Sequence, residues 1–483
     1  MYKGRFSVLI KILTKGLDMS LNNTHYGAEK IGKRLASCKS IFFIGVGGIN
    51  MSSLALISKR RGYRVGGSDR QPTDLTKRLE TEGVEVYYEH NADNVKGYDA
   101  VVYTVAISPE NPEYRYAEEN GLLCVSRADY LGYVMTGYKN RIGVCGMHGK
   151  STCTSMCAEV FMGAEVDPTI VSGAELTSMG GAYRLGGEEH FIFEACEYMD
   201  SFLDFNPTLA VLLNIERDHV DYFHSMEQTV DSFKHFIEIT GNSGTVVVNI
   251  DNDYDLDAIR EYHGSVVTFG LEREADFTAK NIGYDHGRPY FDIHYKGTLM
   301  CNVRMSVTGK HNIYNALAAA ASAYICGISP MKIATGLHSY VGAKRRMELK
   351  GRLHGADVYD DYGHHPTEVK TTLEGARGMC DGRLFCVFQP HTYTRTAELF
   401  DDFSKSFGDV DCVIFADIYA ARETDTLGVS AEKLATAVGE SALYLGDFSK
   451  IAEYLNNNVT EADTVVIMGA GDIGKLFPML DLK

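Results

Sequence analysis

The sequence is short of positive charge: 47 Lys and Arg stand against 64 Asp and Glu, a formal net charge of −17. A protein that grips nucleic-acid backbone or an anionic membrane surface shows the opposite balance. The deficit leaves room for anionic ligands at a locally charged site. No apolar run is long enough to span a bilayer. The 11 cysteines include no C-x-x-C pair; the nearest two are Cys153 and Cys157, and Cys386 and Cys412 lie inside apolar runs. Disulfides and zinc are thereby disfavoured against small buried thiols in a reducing cytoplasm. Short-period repeats and low-complexity tracts are also missing. The remainder is a chain of 483 residues, 45% hydrophobic and 23% charged, which is ordinary for a globular protein of about three domains.

The N-terminus needs separate reading. Phe6–Leu13 is apolar behind Lys3 and Arg5, but Lys11 interrupts it and no small-residue cleavage site follows. The first 18 residues are expected to be disordered, or translated from upstream of a start at Met19, rather than a signal peptide.

The most informative stretch is NRIGVCGMHGKSTCTSM, residues 140–156. Arg141–Cys145 reads as a strand, Gly146-Met147-His148-Gly149 as a tight turn, and Lys150-Ser151-Thr152 as an exposed helix start. A strand, a glycine turn and a helix N-terminus gather unpaired N–H groups around one point, which suits a phosphate. Lys150 can neutralise outer phosphates and the Ser151 hydroxyl can reach Mg²⁺. The general phosphate-loop pattern wants glycine where Val144 stands, so the form here is G-x-x-G-K-S-T.

Upstream, Ser40–Ile44 reads as a strand, Gly45-Val46-Gly47-Gly48-Ile49-Asn50 as a glycine turn, Met51–Arg61 as an amphipathic helix, and Arg64–Gly66 as a strand ending at Ser68-Asp69. This is a β-α-β unit of the nucleotide-binding sort, although a dinucleotide fingerprint would want glycine at Asn50. Downstream, Phe191–Glu194 and Leu209–Asn214 read as strands with acids and a histidine at their ends. Shorter strands follow to Ser306, and Gly309–Asn312 leads into an alanine-rich helix. Ala356–Asp360, Leu384–Phe388, Cys412–Phe415 and Thr464–Met468 read as strands of a further α/β region, with a closing helix after Gly474.

Open α/β sheets place ligands at strand C-terminal ends. Glu194, His219 and the Ser151 hydroxyl would together suit Mg²⁺, which keeps water and substrate oxygens as other ligands. Asp360–Glu368 packs two histidines, three acids and a tyrosine around a glycine turn; it reads as a loop that positions substrate rather than as a dimetal site. Arg345, Arg346 and Arg395 can clamp phosphate or carboxylate.

Taken together, GVGGINMS, GMHGKST, EACEYMDSFL, NIERDHVDYF, GKHNIYNALAA, DDYGHHPTE, FQPHTYTRT and MGAGDIG resemble the Mur ligase family, in its alanine-adding branch. The resemblance runs from about Lys39 to the C-terminus. It implies three α/β domains: a Rossmann-like UDP-binding domain over 39–138, a central phosphate-loop ATPase domain over 139–343 and a Rossmann-like ligase domain over 344–483, after a partly disordered extension over 1–38. It implies that Gly45, Gly47, Gly48, Met51, Ser52 and Asp69 hold the UDP part of the substrate. Gly146, His148, Gly149, Lys150, Ser151 and Thr152 would hold the ATP phosphates, with Ser151, Glu194 and His219 on Mg²⁺. His311, Asn312 and Asn315 would face the adenosine, and Arg346 and Asp361 would reach ATP. Tyr362, His364, His391 and Arg395 would shape the alanine and muramyl end. Lys150, Glu194, His219, Arg346, His364 and His391 are the catalytic candidates.

The implied activity is ATP-dependent amide formation between UDP-N-acetylmuramate and L-alanine in a cytoplasmic enzyme, monomeric or homodimeric, with no nucleic-acid or membrane partner. Two alternatives stay open: a recycling ligase that adds a tripeptide to the same nucleotide, and, remotely, a nicotinamide-dependent oxidoreductase. Thr392 departs from the family pattern, where many relatives carry arginine. Lys234 reads as an ordinary surface lysine.

Overall fold

The computed structural model describes residues 21–220 and 222–483; the reading of the first 18 residues lies outside them. The chain forms two compact units. One runs to Gly137 and includes Asp204–Asn206, and the other holds the rest from Tyr138.

The first unit is built on an all-parallel sheet in the order β3-β2-β1-β4-β5, with β1 Ser40–Ile44, β2 Arg64–Ser68, β3 Glu85–Tyr87, β4 Ala100–Tyr103 and β5 Leu123–Ser126. The chain leaves β1 for β2 on one side and returns to β4 on the other. The glycine turn after β1 therefore sits at the switch point of the sheet. Helix α1, Ile49–Arg60, is buried at every position from Met51 to Ser58, so the expected amphipathic helix is a core helix. Its serines make this possible: Ser52, Ser53 and Ser58 return their hydroxyls to the carbonyls of Ile49, Asn50 and Leu54. Residues 21–38, read as extension, belong to this unit. They form a helix over Ala28–Leu35, and buried Asp129 accepts from the Thr24 hydroxyl and the Tyr26 and Gly27 N–H groups.

The second unit carries two sheets. The larger has the order β15-β14-β13-β12-β11-β10-β6-β9-β7-β8. Its strands are β6 Asn140–Cys145, β7 Thr169–Leu176, β8 Gly181–Arg184, β9 His190–Glu194, β10 Leu209–Leu212, β11 Thr245–Asn249, β12 Ser265–Gly270, β13 Phe277–Asp285, β14 Arg288–Tyr295 and β15 Thr298–Arg304. The stretch read as shorter strands is an antiparallel meander, β13–β15, with strands of 9, 8 and 7 residues. Helix α2, Lys150–Gly163, follows β6 and packs against the alanine-rich α3, His311–Ile325. Small side chains on α3 let the two helices approach closely; Ala316 and Ala318–Ala321 are fully buried.

The smaller sheet has the order β16-β17-β21-β18-β19-β20, with β16 Glu348–Leu353, β17 Ala356–Asp361, β18 Leu384–Phe388, β19 Cys412–Ala416, β20 Ala442–Gly446 and β21 Thr464–Met468. Only β16 runs antiparallel. The expected closing helix is a 3₁₀ segment, Ile473–Met479, interrupted by Pro478, whose ring and missing N–H do not suit an α-helix interior. Helices α4, Pro366–Arg377, and α5, Tyr393–Glu398, begin at the ends of β17 and β18. All 11 cysteines are free, and no helix among the described residues is long and apolar enough to cross a membrane.

Candidate active site

In the first unit the N–H groups of Gly45 and Val46 donate to Ser68 O, and Gly47 N–H donates to Asp69 Oδ2 at 2.8 Å. Ser52 is inward-facing: its N–H is spent on Gly48 O and its hydroxyl on Ile49 O. Met51 likewise buries its side chain. The groups offered to a ligand are thus the first-turn N–H donors of Ile49, Asn50 and Met51 rather than side chains.

In the second unit the phosphate loop lies between β6 and α2, where the sheet order also reverses. Asn214, just past β10, holds it: Met147 N–H donates to Asn214 O, His148 N–H to Asn214 Oδ1, and Asn214 Nδ2 back to His148 O. Gly149 is the N-cap in the left-handed region, φ 82°, and a Cβ there would stand 2.8 Å from Asn315 Oδ1. Cys153 N–H is already bonded to Gly149 O. The N–H groups of Lys150, Ser151 and Thr152 are left pointing out of the helix start.

Lys150 is not exposed as expected. Its side chain is 12% accessible, and Nζ lies 2.9 Å from Oε2 of Glu197, which has no exposure at all. Nζ also donates to the carbonyls of Gly146 and Met147. Burial would lower the lysine pKa, but Glu197 outweighs it and the net shift is upward. Burial likewise opposes ionisation of Glu197, yet Lys150 and His219 hold it below the usual range. His219 Nε2 meets Glu197 Oε1 at 3.0 Å.

The proposed metal residues divide into two neighbouring sets. Ser151 donates to Glu194 Oε2 at 2.9 Å, and Gly173 N–H donates to the same oxygen at 2.9 Å. A Cβ on Gly173 would stand 2.4 Å from that carboxylate and would displace it from this position. His219 belongs with Glu197 and Lys150. Lys234 pairs with Glu261.

One cavity of about 310 Å³ brings the loop together with the smaller sheet. His148, Gly149, Thr152, His311, Asn315, Arg346 and Asp361 all line it, with Glu216, Asp251 and Glu368. Asn312 faces a neighbouring cavity and orients Asn315 by accepting from its Nδ2 at 3.1 Å. Largely buried Glu368 accepts from the N–H groups of His364 and His365, and pairs with His148 at 3.4 Å and Arg346 at 3.9 Å. Burial alone would lower the His148 pKa; Glu216 and Glu368 outweigh it and push it to about 10. Burial raises Asp361 to about 6 against the pull of Arg346.

His148, Glu216 and His365 offer metal-type atoms within 4.8 Å of one another. However, His365 Nε2 is already on Arg217 O and its Nδ1 accepts the Thr367 N–H that caps α4. His148 lies 3.6 Å from Glu216 and 3.4 Å from Glu368, and the two carboxylates favour its protonated form. The cluster is better satisfied as a charge network than as a metal site.

A second cavity, about 270 Å³, is lined by Tyr198, His219, Tyr362, His364, His391, Arg395 and Glu423 among others. Arg395 donates from Nε and a terminal nitrogen to Asp218 Oδ1 at 3.2 and 3.1 Å, and from its other terminal nitrogen to His391 Nδ1 at 3.3 Å. Burial, first of all, pushes both His364 and His391 down to about 4, so both rings are neutral at pH 7. Thr392 caps α5 at φ 64°, a conformation that a β-branched residue adopts only under strain. The cap fixes the helix that presents Arg395.

Glu197, Asn214, Glu216 and Glu423 carry much of this geometry and were not singled out from sequence, and Asp218 and Glu368 were noted at a strand end and in the Asp360–Glu368 loop without an assigned role. Most stand inside the quoted motifs, within a few positions of a strand end. Glu423 lies in no motif.

A glycine turn at a sheet switch point, three free N–H donors, a paired lysine and oxygen ligands at the next strand end define a phosphate-binding α/β protein of the nucleotide-using class. Residues 40–139, 144–323 and 345–471 match the family models described as the Mur ligase family catalytic domain, the Mur ligase middle domain, and the Mur ligase glutamate ligase domain. The chain belongs to the Mur ligase family. It is 43% identical to the UDP-N-acetylmuramate–L-alanine ligase of Clostridium novyi, over 91% of this chain and 97% of that one. It is 44% identical to the enzyme of the same name from Acetivibrio thermocellus, over 91% and 95%. The solved UDP-N-acetylmuramate–alanine ligase of Thermotoga maritima superposes with a TM-score of 0.75 at 25% identity, covering 90% of this chain and 97% of that one. A murein peptide ligase from Psychrobacter arcticus shares the fold, with a TM-score of 0.67 at 24% identity over 91% and 97%. The fold is the three-domain α/β arrangement that the sequence implied.

Proposed function

We propose that the protein joins L-alanine to the lactyl carboxylate of UDP-N-acetylmuramate, using ATP and passing through an acyl phosphate. The observation that carries this reading is the shared cavity: the phosphate loop and the arginine and acids of the smaller sheet line one space. The likeness to the named alanine ligases supports the choice of substrates.

The uridine diphosphate is assigned to the N–H donors at the start of α1, with Asp69 fixing the turn. The ATP phosphates are assigned to the N–H groups of Lys150, Ser151 and Thr152, with the Lys150 ammonium and Arg346 neutralising charge. Phosphoryl transfer needs mainly such positioning and neutralisation. The Ser151 hydroxyl and the Glu194 carboxylate are hard oxygen donors in direct contact, which fits Mg²⁺. When bound there, Mg²⁺ would supply further neutralisation of phosphate oxygens.

The lactyl carboxylate attacks the γ-phosphorus, ADP leaves, and the amine of alanine then attacks the acyl carbon and expels phosphate. Walls contributed by both sheets of the second unit flank the space in which the acyl phosphate would form. Neutral His364 donates its Nδ1–H to Tyr362 O and leaves Nε2 free to accept the amine proton, whereas His391 Nδ1 already accepts from Arg395; the depressed pKa of His364 makes it a weak base.

The test is phosphate release from ATP, assayed with every combination of Mg²⁺, UDP-N-acetylmuramate and single amino acids. Release that needs all components, with L-alanine best, is expected. Equal turnover with a tripeptide in place of alanine would move the assignment to a recycling ligase.

A further inference from the structure

An amino acid arrives as a zwitterion, and its ammonium group loses solvent on entering a half-enclosed cavity. That loss is unfavourable unless an anion meets it. In the cavity of about 270 Å³, the charged and titratable lining groups are His219, His364, His391, Arg395 and Glu423, with the phenols of Tyr198 and Tyr362. Arg395 is already neutralised by Asp218. His364 and His391 are uncharged. Glu423 is the one carboxylate among the described lining residues. Its Oε2 accepts the N–H of Thr394 at 2.9 Å, at the start of α5, and its Oε1 carries no partner among the described residues.

We propose that Glu423 is a specificity-determining residue that receives the ammonium group of the incoming amino acid. The inference rests on the ligase reading above. Thr394 N–H holds one carboxylate oxygen, so the side chain is oriented while the other oxygen stays available. The substrate amine is thereby placed on the wall shared with His391 and Arg395. Amines that carry no charge at neutral pH gain nothing from this contact.

The test is Glu423→Gln, which keeps an oxygen for Thr394 N–H and removes the charge. Loss of a charge-assisted hydrogen bond predicts a rise in KM for L-alanine of about 10- to 100-fold. KM for ATP and for UDP-N-acetylmuramate should stay within about twofold, a change worth only ~0.4 kcal/mol. Hydroxylamine, a neutral nucleophile that traps acyl phosphates, should drive phosphate release equally well in wild type and variant; this also shows that the variant is folded. An unchanged KM for alanine, or a parallel rise in all three KM values, overturns the assignment of Glu423. Wild-type phosphate release that ignores both alanine and hydroxylamine overturns the ligase reading and this inference with it.

Discussion

The ammonium nitrogen of Lys150 and the Oε2 of Glu197 are 2.9 Å apart, and the carboxylate has no solvent exposure. The lysine that serves the phosphate loop is therefore also the counter-charge of a buried acid. Lys150→Ala should do two things. It should abolish turnover, and it should destabilise the second unit by about 1.5–3 kcal/mol, because buried Glu197 loses its lysine and keeps only His219 as a charged partner. Denaturant unfolding of the variant checks the second effect; an unchanged midpoint would show that Glu197 finds another partner. Pairing the change with Glu197→Gln should recover much of the stability and none of the activity.

Glu194 receives Ser151 and Gly173 N–H on one oxygen. Glu194→Ala should raise the Mg²⁺ concentration for half-maximal activity by about tenfold or more, with partial rescue at high Mg²⁺. A titration curve that overlays wild type would separate Glu194 from the metal.

Two histidines should set opposite pH limits on stability. His148 titrates at about 10 in the folded protein, above the ordinary 6.5. Its contribution is fully present below pH 6.5 and is lost as pH rises towards 10. His364 titrates at about 4, so its contribution is present above pH 6.5 and is lost as pH falls towards 4. His148→Gln should flatten the stability profile on the alkaline side and His364→Gln on the acid side. Each slope is at most about 1.4 kcal/mol per pH unit. Unfolding midpoints across the pH range, with both variants following the wild-type curve, would remove these groups from the linkage.

Arg395 reaches from α5 to Asp218 with two nitrogens. Asp218→Asn should free the guanidinium and leave it an uncompensated charge in a largely buried position. Turnover should drop by about 10²-fold if misplacement of the reacting end is the main effect, with a smaller change in KM for ATP. Equal loss in both parameters would point to general unfolding of the cavity.

Much of the loop was legible because its chemistry is local. G-x-x-G-K-S-T specifies a turn, a helix start and a lysine within a few residues, and Glu194 and His219 follow strands whose apolar runs are plain. Partner choice was not legible. Nothing in the sequence says that Lys150 lies on Glu197, or that His219 joins that pair rather than Glu194, because those contacts depend on how two strand ends are brought together. Helix α1, expected to be amphipathic, differs for a related reason: its serines bond to their own helix and are buried. The meander β13–β15 was underestimated because its half-exposed strands mix polar and apolar residues. Glu423 gave no signal, since only the approach of Thr394 reveals it.

The most direct test of acyl-phosphate chemistry at this site uses UDP-N-acetylmuramate labelled with ¹⁸O in the lactyl carboxylate. If that carboxylate attacks the γ-phosphorus before the amine attacks carbon, one labelled oxygen leaves with each phosphate released in the presence of ATP, Mg²⁺ and L-alanine. Mass spectrometry of the phosphate should show that single label. Unlabelled phosphate accompanying normal amide formation would contradict the acyl phosphate and the role given to the shared cavity.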